Sequence, residues 1–270
     1  MKRSTTLQAR YQAANKAQEN PNGVLVVIIL FVFTLFLSAQ NVWGGQVYQD
    51  PQFKNIDAYA RACPPSAQTN LDVLAKYLYK AARTDLEKAR AIYVWLCTYI
   101  SYNDRDYNTN NYSDNSAIAV LASKKAVCAG FSDLYTELGL RLGLRIKTVV
   151  GFAKGYSYEP GSKFAESDHA WNAIEIDGNW RIFDATWGQG FGRTGSHGEL
   201  ISVKSFNPEW FNVEPSYAIF THFPELLTES FIKMPLSLLE YERLPRYSPR
   251  ELYVQNLDPY VLIAEVKRKR

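Results

Sequence analysis

Residues 169–188 read HAWNAIEIDGNWRIFDATWG, and the choice of fold turns on this stretch. Two short runs rich in aromatic and β-branched residues flank Asp177-Gly178, a dipeptide that tolerates the positive φ angles of a two-residue hairpin turn. With that turn Ile176 faces Asn179, facing residue numbers sum to 355, and Trp171 faces Asp184 while His169 faces Thr186. Side chains alternate along a strand, which puts His169 and Trp171 on one face. His169 and Asp184 are then diagonal neighbours, close enough for a carboxylate to hold an imidazole. The parity depends on turn length, since a slip of one residue would send the two side chains to opposite faces.

Upstream, KKAVCAGFSDLYTELGLRLG (124–143) sets Cys128, one of only three cysteines, before Phe131, Leu134, Tyr135, Leu138 and Leu142. That spacing belongs to a helix with one buried face, and Gly143 is suited to end it. Cys128 therefore stands at a helix N-terminus, where unpaired N–H groups and the helix dipole favour an anion. Free cysteines are also among the most buried residues, so position alone leaves core packing and nucleophilic chemistry both open. The hairpin adds what position lacks. A cysteine on a helix, a histidine on a strand and a carboxylate on the next strand are the parts that acyl transfer requires. The imidazole holds the thiol proton and the carboxylate fixes the imidazole tautomer. The competing reading is a core thiol, a surface histidine and a turn-facing aspartate that merely fall in order.

Elsewhere, TNLDVLAKYLYKAA (69–82) places Leu71, Leu74 and Leu78 on one face behind a Thr69 or Asn70 cap. A second helix opens on the capping box Thr84-x-x-Glu87 and turns Ala89, Ile92, Tyr93, Leu96 and Ile100 toward a core. NDRDYNTNNYSDNS (103–116) reads as a long polar loop, and IKTVVGFAKG (146–155) as a strand. From about Ser205 the chain mixes aromatic segments with prolines. His197, in RTGSHGEL, is expected to be exposed, and His222, in THFPE, to be structural. No spacing of Cys, His, Asp or Glu suggests a metal site and no glycine-rich loop suggests a phosphate, so no cofactor is expected.

At 270 residues, 47% hydrophobic and 14% aromatic, the chain can bury one substantial core or two modest ones. Its start differs: a polar tail (1–23) precedes VLVVIILFVFTLFLSA (24–39), which reads as an export or anchor segment. Lys2, Arg3, Arg10 and Lys16 lie before it, which predicts that the N-terminus stays in the cytoplasm and the rest crosses the membrane. Cleavage after Leu37-Ser38-Ala39 and retention as an anchor both stay open. Without the tail's four cations and Glu19, 26 basic and 26 acidic residues remain, a neutral balance that does not suggest nucleic acid. In an oxidising compartment Cys63 and Cys97 could pair, although Cys97 sits within a helical stripe and two unpaired thiols fit equally well.

AVCAGFSDLYTELGLRLGL, DHAWNAIEIDGNWRIFDATWG and DLEKARAIYVWLCTYISYN resemble the transglutaminase-like superfamily of cysteine enzymes. PEWFNVEPSYAIFTHFPE narrows the resemblance to the branch that is similar to kyphoscoliosis peptidase. It implies a papain-like α+β fold over about residues 54–245, after a linker at 40–53 and before a C-terminal extension at 246–270. The nucleophile helix would pack on an antiparallel sheet, with Cys128 as nucleophile, His169 as base and Asp184 as its orienter. Peptide or protein acyl groups would be the substrates, released to water or to an amine. Trp171 and Trp187 flank the triad and could wall a substrate groove, although strand aromatics are more often core. The Cys128 backbone N–H is a candidate oxyanion donor. Ala126 departs from the family's usual glycine, and its methyl group is expected to narrow the approach to the cysteine. The alternative is a non-catalytic module that holds a protein partner in the same groove.

Overall fold

In the computed structural model, which describes residues 51–268, the first three helices are α1 (Lys54–Arg61), α2 (Leu71–Tyr79) and α3 (Asp85–Tyr99). The 1–23 tail, the 24–39 segment and the linker up to residue 50 lie outside the described residues. Two of these helices start where the sequence supplies acceptors for their first N–H groups. The Asn70 side chain accepts from the Val73 N–H, and Thr84 and Glu87 form the reciprocal capping box. From Ala89 to Cys97 every residue of α3 is buried, so this helix runs through the core rather than over it. Its one charged residue in that run, Arg90, donates from Nε to Asp57 Oδ1 (2.7 Å) and from Nη2 to Asp57 Oδ2 (2.8 Å), with Phe53, Phe206 and Phe211 against the guanidinium. Cys63 and Cys97 are buried and unpaired, and the Cys97 thiol donates to the Ala185 carbonyl.

Next come β1 (Ser101–Tyr102), α4 (Asp104–Thr109), α5 (Ala117–Ser123), β2 (Lys125–Ala126) and α6 (Cys128–Arg141). Helix α4 corrects the reading of 103–116 as irregular. The Asn103 side chain caps it at Asp106, and the Asp106 carboxylate then accepts from the Ser113 N–H, closing the segment on itself. At six residues α4 is too short to show an apolar period. Strands β1 and β2 pair in parallel, which sets Tyr102 opposite Ala126 and brings the end of α3 to the start of α6. Gly143, at φ +76, ends α6 in a Schellman turn with Leu144 N–H on the Gly139 carbonyl.

The chain then builds β3 (Ile146–Ala153), β4 (His169–Ile176), β5 (Asn179–Phe183), α7 (Ala185–Gly188), β6 (Gly190–Thr194), β7 (Leu200–Lys204), α8 (Pro215–Ala218) and β8 (His222–Pro224). Strands β5, β4, β3 and β8 form, in that order, a four-stranded antiparallel sheet. Asp177 and Gly178 both have positive φ, as the two-residue turn requires, and Ile176 pairs with Asn179 and Asn172 with Phe183. The register is the one expected, but the ladder stops at Phe183. Asp184 leaves the strand to cap α7, so the expected strand pairs Trp171–Asp184 and His169–Thr186 do not form.

Helix α6 lies on this sheet. Asn172 donates from Nδ2 to the Ser132 carbonyl (3.1 Å) and to Thr136 Oγ1 (2.9 Å), while the Tyr135 hydroxyl donates to the Ala89 carbonyl of α3 (2.7 Å). The architecture is α+β, with the cysteine helix between a buried helix and an antiparallel sheet. Three more helices follow: α9 (Leu238–Arg243), α10 (Pro249–Val254) and α11 (Pro259–Arg268). Leu252 and Ile263 join Phe220, Phe223 and Tyr241 in an apolar cluster beside β8, so residues 246–268 pack onto the domain. Buried Lys154 ties α9 to the end of β3 by donating to the Tyr241 (2.8 Å) and Leu244 (2.6 Å) carbonyls, and burial lowers its pKa to about 7. Among the described residues no helix is long and apolar enough to cross a membrane.

Removing one member of a buried ion pair strands the other charge, at about 3–5 kcal/mol. Arg90→Met should therefore lower the stability of the protein by that amount in urea unfolding, and adding Asp57→Leu should recover part of the loss. A loss below about 1 kcal/mol would show that Asp57 does not depend on Arg90 for its burial.

Candidate active site

Cys128 is the first residue of α6, capped by Val127 without a side-chain acceptor. The opening N–H groups of a helix have no partner within it, so the thiol sits where backbone donors and the dipole favour negative charge. Close packing holds this helix start in place. A Cβ on Gly130 would come within 2.7 Å of Asn115 Oδ1 and 2.8 Å of both the Ala126 Cβ and Val120 Cγ2, and the Val127 N–H donates to Asn115 Oδ1 (3.3 Å). The Ala126 methyl group therefore points into the core against Gly130. It does not line the cleft, contrary to the expectation that it would narrow the approach.

Three strands deliver the polar groups. His169 opposes Gly151 on β3 and His222 opposes Ala153. Residues two apart on a strand share a face, so both imidazoles project from the same side of the sheet. Asp184 arrives from the end of β5. Its Oδ2 lies 2.8 Å from His169 Nε2 and 3.1 Å from His222 Nε2, and its Oδ1 accepts from the Trp187 N–H (2.9 Å). With Nε2 engaged, Nδ1 is the ring nitrogen of His169 left for the Cys128 side chain, which lines the same cleft and acts electrostatically on this imidazole.

All three groups of this triangle are buried, and burial disfavours every charge in it. For His169 the charge and hydrogen bond of Asp184, aided by the Cys128 side chain, outweigh burial and raise the imidazole to about 10. For Asp184 burial is likewise overcome, by the charge and hydrogen bond of His169 and then by His222, and the carboxyl is held well below its usual range. For His222 burial wins, helped by the neighbouring His169 charge, and its pKa falls. Near neutral pH the triangle thus holds one imidazolium, one carboxylate and one neutral imidazole. His222 must then carry its proton on Nε2, toward Asp184, and accept from the Thr221 hydroxyl at Nδ1 (2.9 Å). The ligand atoms of His169, Asp184 and His222 lie within 4.8 Å of one another, near enough for a metal ion. In this state, however, hydrogen bonds already occupy them.

Above the triangle opens a cleft of ≈360 Å³ whose wall includes Cys128, His169, Tyr102, Tyr156, Trp187 and Phe191. Trp187 lines this cleft. Trp171 does not: it is buried, and its ring packs edge-on against His222 at 5.0 Å. His197 is exposed, as expected. The structure adds two residues to the site. His222 was read as structural, yet it is a second imidazole on Asp184. Tyr102 reaches the cleft beside Cys128, and burial pushes its hydroxyl well above the ordinary phenol range, so it remains a neutral donor. The signal for Tyr102 was slight, since a two-residue parallel strand pair leaves little trace in sequence.

Residues 72–185, which include Cys128, His169 and Asp184, match the transglutaminase-like superfamily. The chain is 33% identical over 205 residues to kyphoscoliosis peptidase of Homo sapiens, covering 75% of this chain and 30% of that protein. It is 31% identical over 202 residues to kyphoscoliosis peptidase of Mus musculus, covering 74% of this chain and 30% of that protein. It thus spans less than a third of the length of these relatives. The crystal structure of a TGase overlaps 58% of this chain and 38% of that one at 19% identity, with a TM-score of 0.32. Motifs, architecture and matches agree that the chain carries a domain of the transglutaminase-like superfamily, of the branch that resembles kyphoscoliosis peptidase.

Proposed function

We propose that this protein is a cysteine hydrolase that forms a thioester between Cys128 and an acyl group of a peptide or protein, working outside the cytoplasm. The observation that supports this most is that Cys128 and His169 line one open cleft, with the imidazole held at 2.8 Å by the buried Asp184 carboxylate. The location rests on the apolar 24–39 segment behind its basic tail, acting as an anchor or as a cleaved signal.

In the acylation step the Cys128 thiolate attacks the carbonyl carbon and the carbonyl electron pair moves onto oxygen. The Cys128 N–H and the Tyr102 hydroxyl would be the donors to that oxyanion. As the intermediate collapses, the leaving amine takes the Nδ1 proton of His169, whose charge Asp184 has sustained until then. A water molecule then attacks the thioester and gives its proton to Nδ1, the carboxylic acid leaves, and the thiolate–imidazolium pair is restored. Hydrolysis is preferred over amine transfer because the cleft is open to water. Trp187 would flank the acyl group.

Incubation of the protein with glutaminyl peptides, with and without an amine donor, followed by acid quenching and mass spectrometry, should reveal an acyl adduct on Cys128. The released product should be an acid even when amine is present. Cys128→Ala should abolish the adduct, and a product that instead carries the amine would assign transfer. Peptides that bind without ever acylating the wild type would favour the non-catalytic module.

Asp184→Asn removes the charge that sustains the imidazolium while keeping the size of the side chain. Turnover should fall by about 10⁴-fold, the loss seen when the orienting carboxylate of such a triad becomes an amide. A loss below about threefold, in steady-state kinetics on the same peptide, would show that Asp184 plays no such part.

A further inference from the structure

We propose that His222 is a positioning residue of this site, holding the Asp184 carboxylate in line with His169 by donating its Nε2–H to Asp184 Oδ2. The inference rests on the cysteine-enzyme reading above, which needs Asp184 in one orientation. A carboxylate attached by a single hydrogen bond turns readily about its last bond, because sp³–sp² torsions are soft. The Trp187 N–H fixes only Oδ1. His169 cannot supply the rest, since it is the group to be oriented. A donor on Oδ2 from a third direction removes the remaining freedom, and His222 is in that place at 3.1 Å.

The surroundings of His222 fit a donor built not to move. Its backbone belongs to β8, paired with β3 through Ala153, and its Nδ1 is held by Thr221 Oγ1. Trp187, Trp171 and Trp210 enclose the ring at 4.4, 5.0 and 5.0 Å, and its side chain has no exposed surface. Water cannot replace the bond it makes. The ionisable groups that act on it are Asp184 and His169. A neutral donor suits this position, because a second cation on Oδ2 would repel the His169 imidazolium and weaken the hold of Asp184 upon it. The three tryptophans thus serve the site indirectly, by fixing the ring that fixes the carboxylate.

The test compares His222→Met with His222→Gln, two side chains of similar length that differ chiefly in the terminal N–H donor. The readout is the pH dependence of Cys128 alkylation by iodoacetamide in the full chain, followed by mass spectrometry of the Cys128 peptide, which requires no substrate. In the wild type the rate should inflect at about pH 10, where His169 loses its proton. In H222M the inflection should move down by about one pH unit, a tenfold loss of proton affinity. H222Q should bring it back toward the wild-type position. An unchanged inflection in folded H222M, or an H222Q protein shifted as far as H222M, would overturn the inference. Should H222M fail to fold, Thr221→Val, which removes the hydroxyl that meets both Nδ1 and the Ala218 carbonyl, should shift the inflection in the same direction by less, and no shift there would overturn the inference equally. A wild type without any inflection would overturn the underlying cysteine-enzyme reading and this inference with it, whereas the H222M result bears on His222 alone.

Discussion

A carboxylate with no exposure to water must be compensated from every side, and Asp184 is that carboxylate in this protein. Desolvation of an ion costs several kcal/mol even after relaxation, so its hydrogen bonds are a condition of its burial. Each donor comes from a different element. The Trp187 N–H comes from the helix that Asp184 itself caps, His169 from β4 and His222 from β8. The central strand β3 sets the spacing of the two histidines, because both pair with residues of its one face.

The charge on Asp184 carries outward to the cleft. It keeps His169 protonated against the pull of burial, and the protonated ring is what Cys128 meets at the start of α6. The buried α3 supports this from behind: Tyr135 of α6 bonds the Ala89 carbonyl, and Arg90 with Asp57 holds α1 against the same helix. Stability and site chemistry are therefore linked. The domain buries one ion pair to fix its helices and another to prepare its thiol, and neither can lose a partner without leaving a charge exposed to low dielectric.

The parts of this arrangement that were legible in sequence are those fixed by local chemistry. Asp177-Gly178 determined the turn and hence the register of β4 with β5, Thr84 and Glu87 marked the start of α3, and the apolar spacing after Cys128 placed that residue at the head of α6. What could not be read depended on contacts distant in sequence. His222 lies 38 residues from Asp184 on a three-residue strand, too short for any pattern. Trp171 lies on the face it shares with His169, but its burial against His222, like the packing of Ala126 on Gly130, is set by tertiary contacts that alternation along the chain does not show. Helix α4 is held by the Asn103 cap and by the Ser113 N–H bonding back to Asp106, in a segment whose polarity resembles that of a loop.

The central claim is that Asp184 keeps one histidine charged and leaves the other neutral. Ring ¹⁵N spectra of the histidine-labelled protein, recorded as a function of pH, test it most directly. The account predicts that at neutral pH His169 carries protons on both ring nitrogens while His222 has a bare Nδ1, and that His169 gives up its second proton only at about pH 10. A neutral His169 at neutral pH, or a doubly protonated His222 beside it, would contradict the account.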